Sequence, residues 1–177
     1  MRKTEEKFGM FLLRNLAGVL AIVWMCMIFA FSAQDKEESG AVSESFTYHM
    51  VSSTRTFFHL DLSDERVKAI ADTIEGLVRK AAHMAEYGVL SVLLYIWIGQ
   101  WEMSFLRRGG TAFFATAVYA ATDEIHQLFV AGRAGRFSDV VIDSAGALLG
   151  VLVFAFLVRI VKRIQRKRLK RAMEEER

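Results

Sequence analysis

The stretch ATDEIHQLFVAGRAGRFSDVVIDSAGALLG, residues 121–150, leaves one apolar run of the chain and enters the next. Between these runs it concentrates charged and polar side chains, namely Asp123, Glu124, His126, Gln127, Arg133, Arg136, Asp139 and Asp143. If the flanking runs cross a membrane, several of these charges lie at or inside its edge, where an ionised side chain is costly. The role of the flanking runs therefore decides the fold, and the charges indicate where a site would lie.

Four segments are long and apolar enough to be interpreted as membrane-spanning helices. The 177 residues are 53% hydrophobic, which is too apolar for a typical soluble domain. A spanning helix needs about 20 mostly apolar residues, and segments at about 11–32, 83–101, 110–130 and 139–161 meet this length. The last two carry acids, so hydropathy favours them less. We predict an all-α protein, an integral membrane bundle of four transmembrane helices.

The basic residues predict the orientation of this bundle. The N-terminal end, the linker with Arg107 and Arg108, and the tail KRIQRKRLKR are all basic and fall on one side of the membrane by parity. Short basic loops stay in the cytoplasm, so both termini are predicted to be cytoplasmic. We assign residues 1–162 to the membrane domain and residues 163–177 to a basic cytoplasmic tail. Nothing in the chain would read bases, so we expect no nucleic-acid partner.

The segment between the first and second spans is acidic and is predicted to lie outside. Ser63 is a good helix N-cap, and apolar residues follow it at helical spacing. This predicts an extracytoplasmic amphipathic helical segment that continues toward the second span, with Gly76 marking a bend. An alternative for the first 33 residues is a signal peptide, because AFSA offers a small-residue cleavage site.

Three polar stripes are predicted to meet at the outer end of the bundle. At about 100° per residue, polar side chains share one face on each of the last three spans: Arg79, Lys80, His83, Glu86 and Tyr87; Tyr119, Asp123 and Gln127; Asp139 and Asp143, with Gly146 and Gly150. Asp123 would lie roughly 20 Å along its span, inside the outer leaflet. It must therefore face the bundle, where the available partners are Arg79, Lys80, His83, Arg133 and Arg136. Gly146 and Gly150 predict close helix packing.

These residues resemble the signatures of one family. RKAAHMAEYGVL, residues 79–90, is similar to the R-K-x-x-H-x-x-E-Y signature of the VanZ-like family, and residues 122–150 resemble its second signature. FSAQ, residues 31–34, is similar to the F-S-x-Q that ends the family's first helix. The resemblance covers most of residues 12–155. The chain departs from the pattern before Gly132, where proline is common, and at Asp143, where asparagine is frequent.

The resemblance implies a small bacterial protein of the cytoplasmic membrane with a role in the cell envelope. The family is named for an accessory protein of glycopeptide resistance, linked to teicoplanin, and most members have no settled biochemical activity. Some members have been labelled phosphotransbutyrylases, but nothing in this chain resembles a CoA or acyl-phosphate site. The resemblance therefore implies a location and a process, and whether the protein is an enzyme stays open.

In the first functional interpretation, the protein is embedded in the lipid bilayer and has an outward-facing site. This site would bind an anionic, phosphate-bearing envelope lipid or a lipid-linked cell-wall precursor. The predicted ligand-binding residues are Arg79, Lys80, Tyr87, Glu124, Gln127, Arg133, Arg136, Asp139 and Asp143. If a reaction occurs, His83, Glu86 and Asp123 are the candidates for acid–base catalysis. We expect no cofactor.

Three other interpretations stay open. The imidazole and carboxylate groups would accept zinc or manganese, but no second histidine shares a stripe with His83, so no metal ligand is assigned. A proton relay or transporter is disfavoured, because the inner halves of the spans hold almost no polar residues. Alternatively, the stripes form a buried ion network without a ligand, which should tolerate substitution of Arg133 and Arg136. Homo-oligomer formation is also left open.

Overall fold

Five α-helices make up most of residues 2–175, the part of the chain that the computed structural model describes. In chain order they are α1 Arg2–Ser32, α2 Lys36–Phe57, α3 Asp64–Ile98, α4 Phe105–Gln127 and α5 Phe137–Glu175. The all-α prediction is thus confirmed. Connections between the helices are short. Helices α2, α3 and α4 each pack on the next helix in the chain, whereas α1 packs mainly on α3 rather than on α2.

Three of the helices are long and apolar enough to cross a membrane. The qualifying segments are Phe8–Ser32 in α1, Asp64–Ile98 in α3 and Phe137–Arg168 in α5. Their outer surfaces expose many large apolar side chains, as expected for helices surrounded by lipid. Helix α4 is less apolar because its last turns carry several charged and polar residues, so the predicted count of four spans is not confirmed.

The segment between α1 and the apolar part of α3 is more helical than predicted. The predicted N-cap of α3 is present, since Ser63 Oγ accepts a hydrogen bond from the backbone N–H of Arg66 at 3.4 Å. Before it lies the additional helix α2, whose N-cap Asp35 accepts the N–H of Glu38 at 2.8 Å. Gly76, where a bend was predicted, lies within the single uninterrupted helix α3. At about 1.5 Å per residue it extends beyond a hydrocarbon layer of about 30 Å.

Helices α3 and α5 approach each other closely through glycine. A Cβ atom on Gly146 would lie 2.6 Å from Met84 Cα, and one on Gly150 would lie 2.8 Å from Gly88 Cα. Real Cβ atoms do not approach backbone this closely, so only glycine fits at these two positions. Beside them, Ser91 Oγ lies 2.8 Å from the carbonyl oxygen of Ala147 on α5. The two helices that carry most of the polar residues are therefore held in one register.

Helix α4 runs antiparallel to α5 along most of the bundle. At one end, the Arg159 guanidinium of α5 lies 4.7 Å from the ring centroid of Phe105 in the first turn of α4. At the other end, Glu124 in the last turn of α4 accepts the backbone N–H of Arg136, just before α5, at 2.8 Å. This arrangement brings the polar end of α4 beside the first turns of α5.

Candidate functional site

A polar cavity of about 390 Å³ opens at this end of the bundle. It lies between the middle of α3, the last turns of α4, the loop before α5, the first turns of α5 and the start of α2. Nine of the predicted site residues line it, namely Arg79, Lys80, His83, Glu124, Gln127, Arg133, Arg136, Asp139 and Asp143. The fold therefore brings residues from three predicted stripes and the connecting loop to one cavity.

Three predicted site residues do not line this cavity. Tyr87 is fully buried and Asp123 is 5% exposed, and both lie in the interior of the bundle. Glu86 is half-buried on α3, with its Oε2 atom 3.7 Å from Nδ1 of His83. Of the three residues predicted as acid–base candidates, only His83 lines the cavity.

The cations of the cavity lie mainly at its exposed mouth. Five basic side chains line it: Lys36, Arg79, Lys80, Arg133 and Arg136. Lys36, Lys80 and Arg136 are exposed, whereas Arg79 and Arg133 are half-buried. Arg79 Nη2 lies 3.0 Å from Oε2 of Glu75, one turn earlier on the same helix.

Lys36, at the start of α2, lines the cavity but was not predicted as a site residue. Its approach depends on the loop before α5, because a Cβ on Gly132 would lie 3.3 Å from Cβ of Lys36. Gly132 has a φ of 72°, a left-handed conformation that glycine adopts without strain. The only sequence signal was a lysine within an acidic segment directly after FSAQ, and that signal does not indicate which element it approaches.

The acids of the cavity are more buried than its cations. Asp143 is 3% exposed and Glu124 is 7% exposed, while Asp139 is half-buried. We expected such acids to pair with nearby cations. Among the side chains that the structure describes, however, no lysine or arginine nitrogen lies within 4.0 Å of the carboxylates of Asp123, Glu124, Asp139 or Asp143.

Asp123 is held by neutral donors instead of cations. Its Oδ2 atom accepts hydrogen bonds from Ser32 Oγ at 3.0 Å, Tyr87 Oη at 3.1 Å and Gln127 Nε2 at 3.3 Å. Gln127 Nε2 also donates to Ser32 Oγ at 3.0 Å. Buried polar groups need such partners. This network connects α1, α3 and α4, and it assigns a packing role to the serine of FSAQ and to Tyr87.

Arg133 ties the loop before α5 to the end of α1. Its Nε atom donates to the carbonyl oxygen of Gln34 at 2.9 Å, and its Nη2 atom donates to that of Phe31 at 3.3 Å. Substitution of Arg133 would therefore disturb the loop even without a ligand. The guanidinium of Arg136 makes no hydrogen bond to a described residue, so Arg136 is the better probe of ligand binding.

The histidines near this end do not form a metal centre with the acids. His126 stacks on Phe29 with ring centroids 4.3 Å apart and does not line the cavity. Among the described residues, no group of three or more histidine, cysteine, aspartate or glutamate side chains is placed to hold a metal ion.

Comparison with known proteins identifies one match. The family model described as VanZ/LLP1 matches residues 17–159, which include every predicted site residue and every residue that lines the cavity. No curated protein and no solved structure matches the chain. The match covers more than half of the chain and agrees with the resemblance inferred from the signature residues.

Proposed function

Since the chain belongs to the VanZ/LLP1 family and is a multi-pass membrane protein, we propose that it binds a phosphate-bearing envelope lipid or lipid-linked cell-wall precursor in the polar cavity. The cavity would open at the outer surface of the bacterial cytoplasmic membrane. Teicoplanin carries an acyl chain, so a protein that binds outer-leaflet lipid or precursor would alter the access of this glycopeptide. Envelope function and glycopeptide tolerance follow from the same binding event.

One observation carries the proposal. Lys36, Lys80, Arg133 and Arg136 line one cavity, and none of them forms an ion pair with a described aspartate or glutamate. Cations that served only to neutralise the buried acids would lie against them. Arginine offers paired N–H donors that match the oxygens of a phosphate. The mouth of the cavity is thus suited to an anionic group.

A second cavity favours a lipid over a soluble phosphate. An apolar groove of about 520 Å³ lies along α3 and α5, which also line the polar cavity. Its lining includes Val92 of α3 and Leu149 and Val153 of α5. On α5, Asp143 lines the polar cavity, and Gly146, three residues later, lines the groove. Residues three apart share a helix face. A head group in the cavity could therefore place its hydrocarbon chain in the groove.

The proposal includes α4 as the third of four spans, and it places both termini in the cytoplasm. At about 1.5 Å per residue, the 23 residues of α4 extend about 35 Å, comparable to a hydrocarbon layer of about 30 Å. Its contacts with Arg159 at one end and Arg136 at the other support a complete crossing. Arg107, Arg108 and the basic tail then lie together on the cytoplasmic side.

Cysteine labelling tests this topology. In a Cys26→Ser background, we expect Glu44→Cys to react with a membrane-impermeant maleimide in intact bacteria. Glu102→Cys should react only after the cells are permeabilised, because it would lie between the second and third spans on the cytoplasmic side. Both positions are exposed, so access to the reagent is set by the membrane. The reverse pattern would place the cavity in the cytoplasm and overturn the proposal of an outward-facing site.

Binding of a phosphate-bearing lipid tests the function itself. We expect purified protein to retain phosphatidylglycerol in native mass spectrometry. The double variant Lys80→Ala, Arg136→Ala should bind it at least about tenfold more weakly, because hydrogen bonds to charged groups contribute about 1.5–3 kcal/mol each. The matched control is Arg66→Ala, Lys68→Ala, which removes two exposed cations of α3 that do not line the cavity. Equal affinities of both double variants would exclude Lys80 and Arg136 from the binding site and overturn the proposal.

A further inference from the structure

The inner part of the polar cavity contains a buried carboxyl group without a partner. Asp143 lines the cavity and is 3% exposed, yet its carboxyl group makes no hydrogen bond or ion pair with any described residue. Glu124, also a lining residue, is 7% exposed and accepts only the backbone N–H of Arg136. The hydroxyl of Ser138 bonds Asp139 at 3.2 Å. The cations that are proposed to bind phosphate form no ion pair with any of these acids.

This arrangement is costly unless something else compensates the negative charge. Removing a carboxylate from water costs several kcal/mol even after the protein relaxes, so buried carboxylates are normally paired. The exposed cations Lys36, Lys80 and Arg136 stay farther than 4.0 Å from the carboxylate of Asp143. One cavity therefore has a positive mouth and a negative interior that do not neutralise each other directly.

A ligand with both signs of charge matches such a cavity. Its anionic group would lie at the mouth, and its cationic group would lie among the buried acids. A primary ammonium group is suitable because it has three N–H donors and needs only a few acceptor oxygens. A calcium ion usually takes six to eight oxygen ligands, with carboxylates among them. In the part of the chain whose side chains are described, no group of three or more acidic, histidine or cysteine side chains is placed to hold such an ion.

We propose that Asp143, together with Glu124 and Asp139, binds the ammonium group of an aminoalkyl phosphate head group, such as that of phosphatidylethanolamine. The phosphate of the same head group lies among Lys80, Arg133 and Arg136. The inference rests on the proposed function, because it adds a second contact to the same ligand. In this proposal the buried acids select among phosphate-bearing head groups, and the cations bind the phosphate that all of these head groups share.

Three lipids with identical acyl chains separate the two groups of contacts. Phosphatidylethanolamine presents phosphate and ammonium, its N-acetylated derivative presents phosphate with an uncharged amide, and phosphatidylglycerol presents phosphate with hydroxyl groups. We expect the wild-type protein to bind phosphatidylethanolamine at least about tenfold more tightly than either of the other lipids in native mass spectrometry. This comparison needs no variant, so it does not depend on how substitutions affect folding.

The variant Asp143→Asn then identifies the group responsible. Asparagine has nearly the same size, and we expect it to abolish the preference for phosphatidylethanolamine over phosphatidylglycerol. The control Asp72→Asn changes an exposed acid of α3 and should keep the wild-type preference. The double variant Lys80→Ala, Arg136→Ala should weaken binding of all three lipids by a similar factor.

The possible failures are distinguishable. If the wild-type protein binds all three lipids equally and the double variant weakens each of them, the ammonium site is refuted and the proposed lipid-binding function stands. If the wild-type protein binds none of the three, both proposals fail. A preference for phosphatidylethanolamine that survives Asp143→Asn would also refute the assignment to Asp143.

Discussion

Replacement of Gly146 by leucine should nearly abolish the yield of folded, monodisperse protein. A Cβ atom at this position would lie 2.6 Å from Met84 Cα and closer still to the carbonyl oxygen of Met84. Overpacking of a core typically costs about 1–3 kcal/mol when side chains can move aside. Here the obstacle is the backbone of α3, so the two helices would have to separate. Size-exclusion chromatography and thermal unfolding in detergent measure the effect.

Gly110 provides the matched control for this substitution. It lies in α4, and a Cβ atom there would meet no atom within 4 Å. Gly110→Leu should therefore unfold within a few degrees of the wild-type protein. If Gly146→Leu were as stable as Gly110→Leu, α3 and α5 could not approach each other as closely as described. The cavity would then also be wrong, because α3 contributes Lys80 and α5 contributes Asp143 to its lining.

Replacement of Asp123 by alanine should be the second most damaging change. It leaves the hydroxyl groups of Ser32 and Tyr87 and the amide of Gln127 without their shared acceptor. A buried donor left unsatisfied costs about 1–3 kcal/mol, so we expect the free energy of unfolding to fall by about 3 kcal/mol or more. Asp123→Asn keeps the volume and one acceptor oxygen, and should cost about 1 kcal/mol. Chemical denaturation in detergent measures both values.

The matched control is Asp72→Ala on the exposed surface of α3, which should change the free energy of unfolding by less than about 0.5 kcal/mol. A loss of equal size in Asp123→Ala and Asp72→Ala would contradict the network. Asp123 does not line the cavity, so the folded Asp123→Asn variant should retain lipid binding. A selective loss of binding in that variant, with stability unchanged, would indicate that Asp123 contacts the ligand or takes part in catalysis, as predicted from the sequence.

Hydropathy and helical periodicity predicted much of the fold. The apolar runs located α1, α3 and α5, because a long apolar segment has few alternatives to a spanning helix. Helix α2 was missed, since the residues from Lys36 to Phe57 are mostly polar and only Asp35 marks the start. Gly76 does not interrupt α3, because glycine lowers helix propensity without removing a hydrogen-bond donor.

The sequence by itself determined which residues lie at the polar end of the bundle, because the short connection between α4 and α5 places the last turns of one helix beside the first turns of the next. Only the tertiary structure decided how these residues divide between the interior and the cavity. Asp123 and Asp143 were predicted to belong to one site, yet Asp123 bonds Ser32 and Tyr87, whereas Asp143 lines the cavity. A helical wheel gives the angle of a side chain around its own axis. It contains no information on which neighbouring helix covers that angle, and that choice decides whether an acid stabilises the bundle or contacts a ligand.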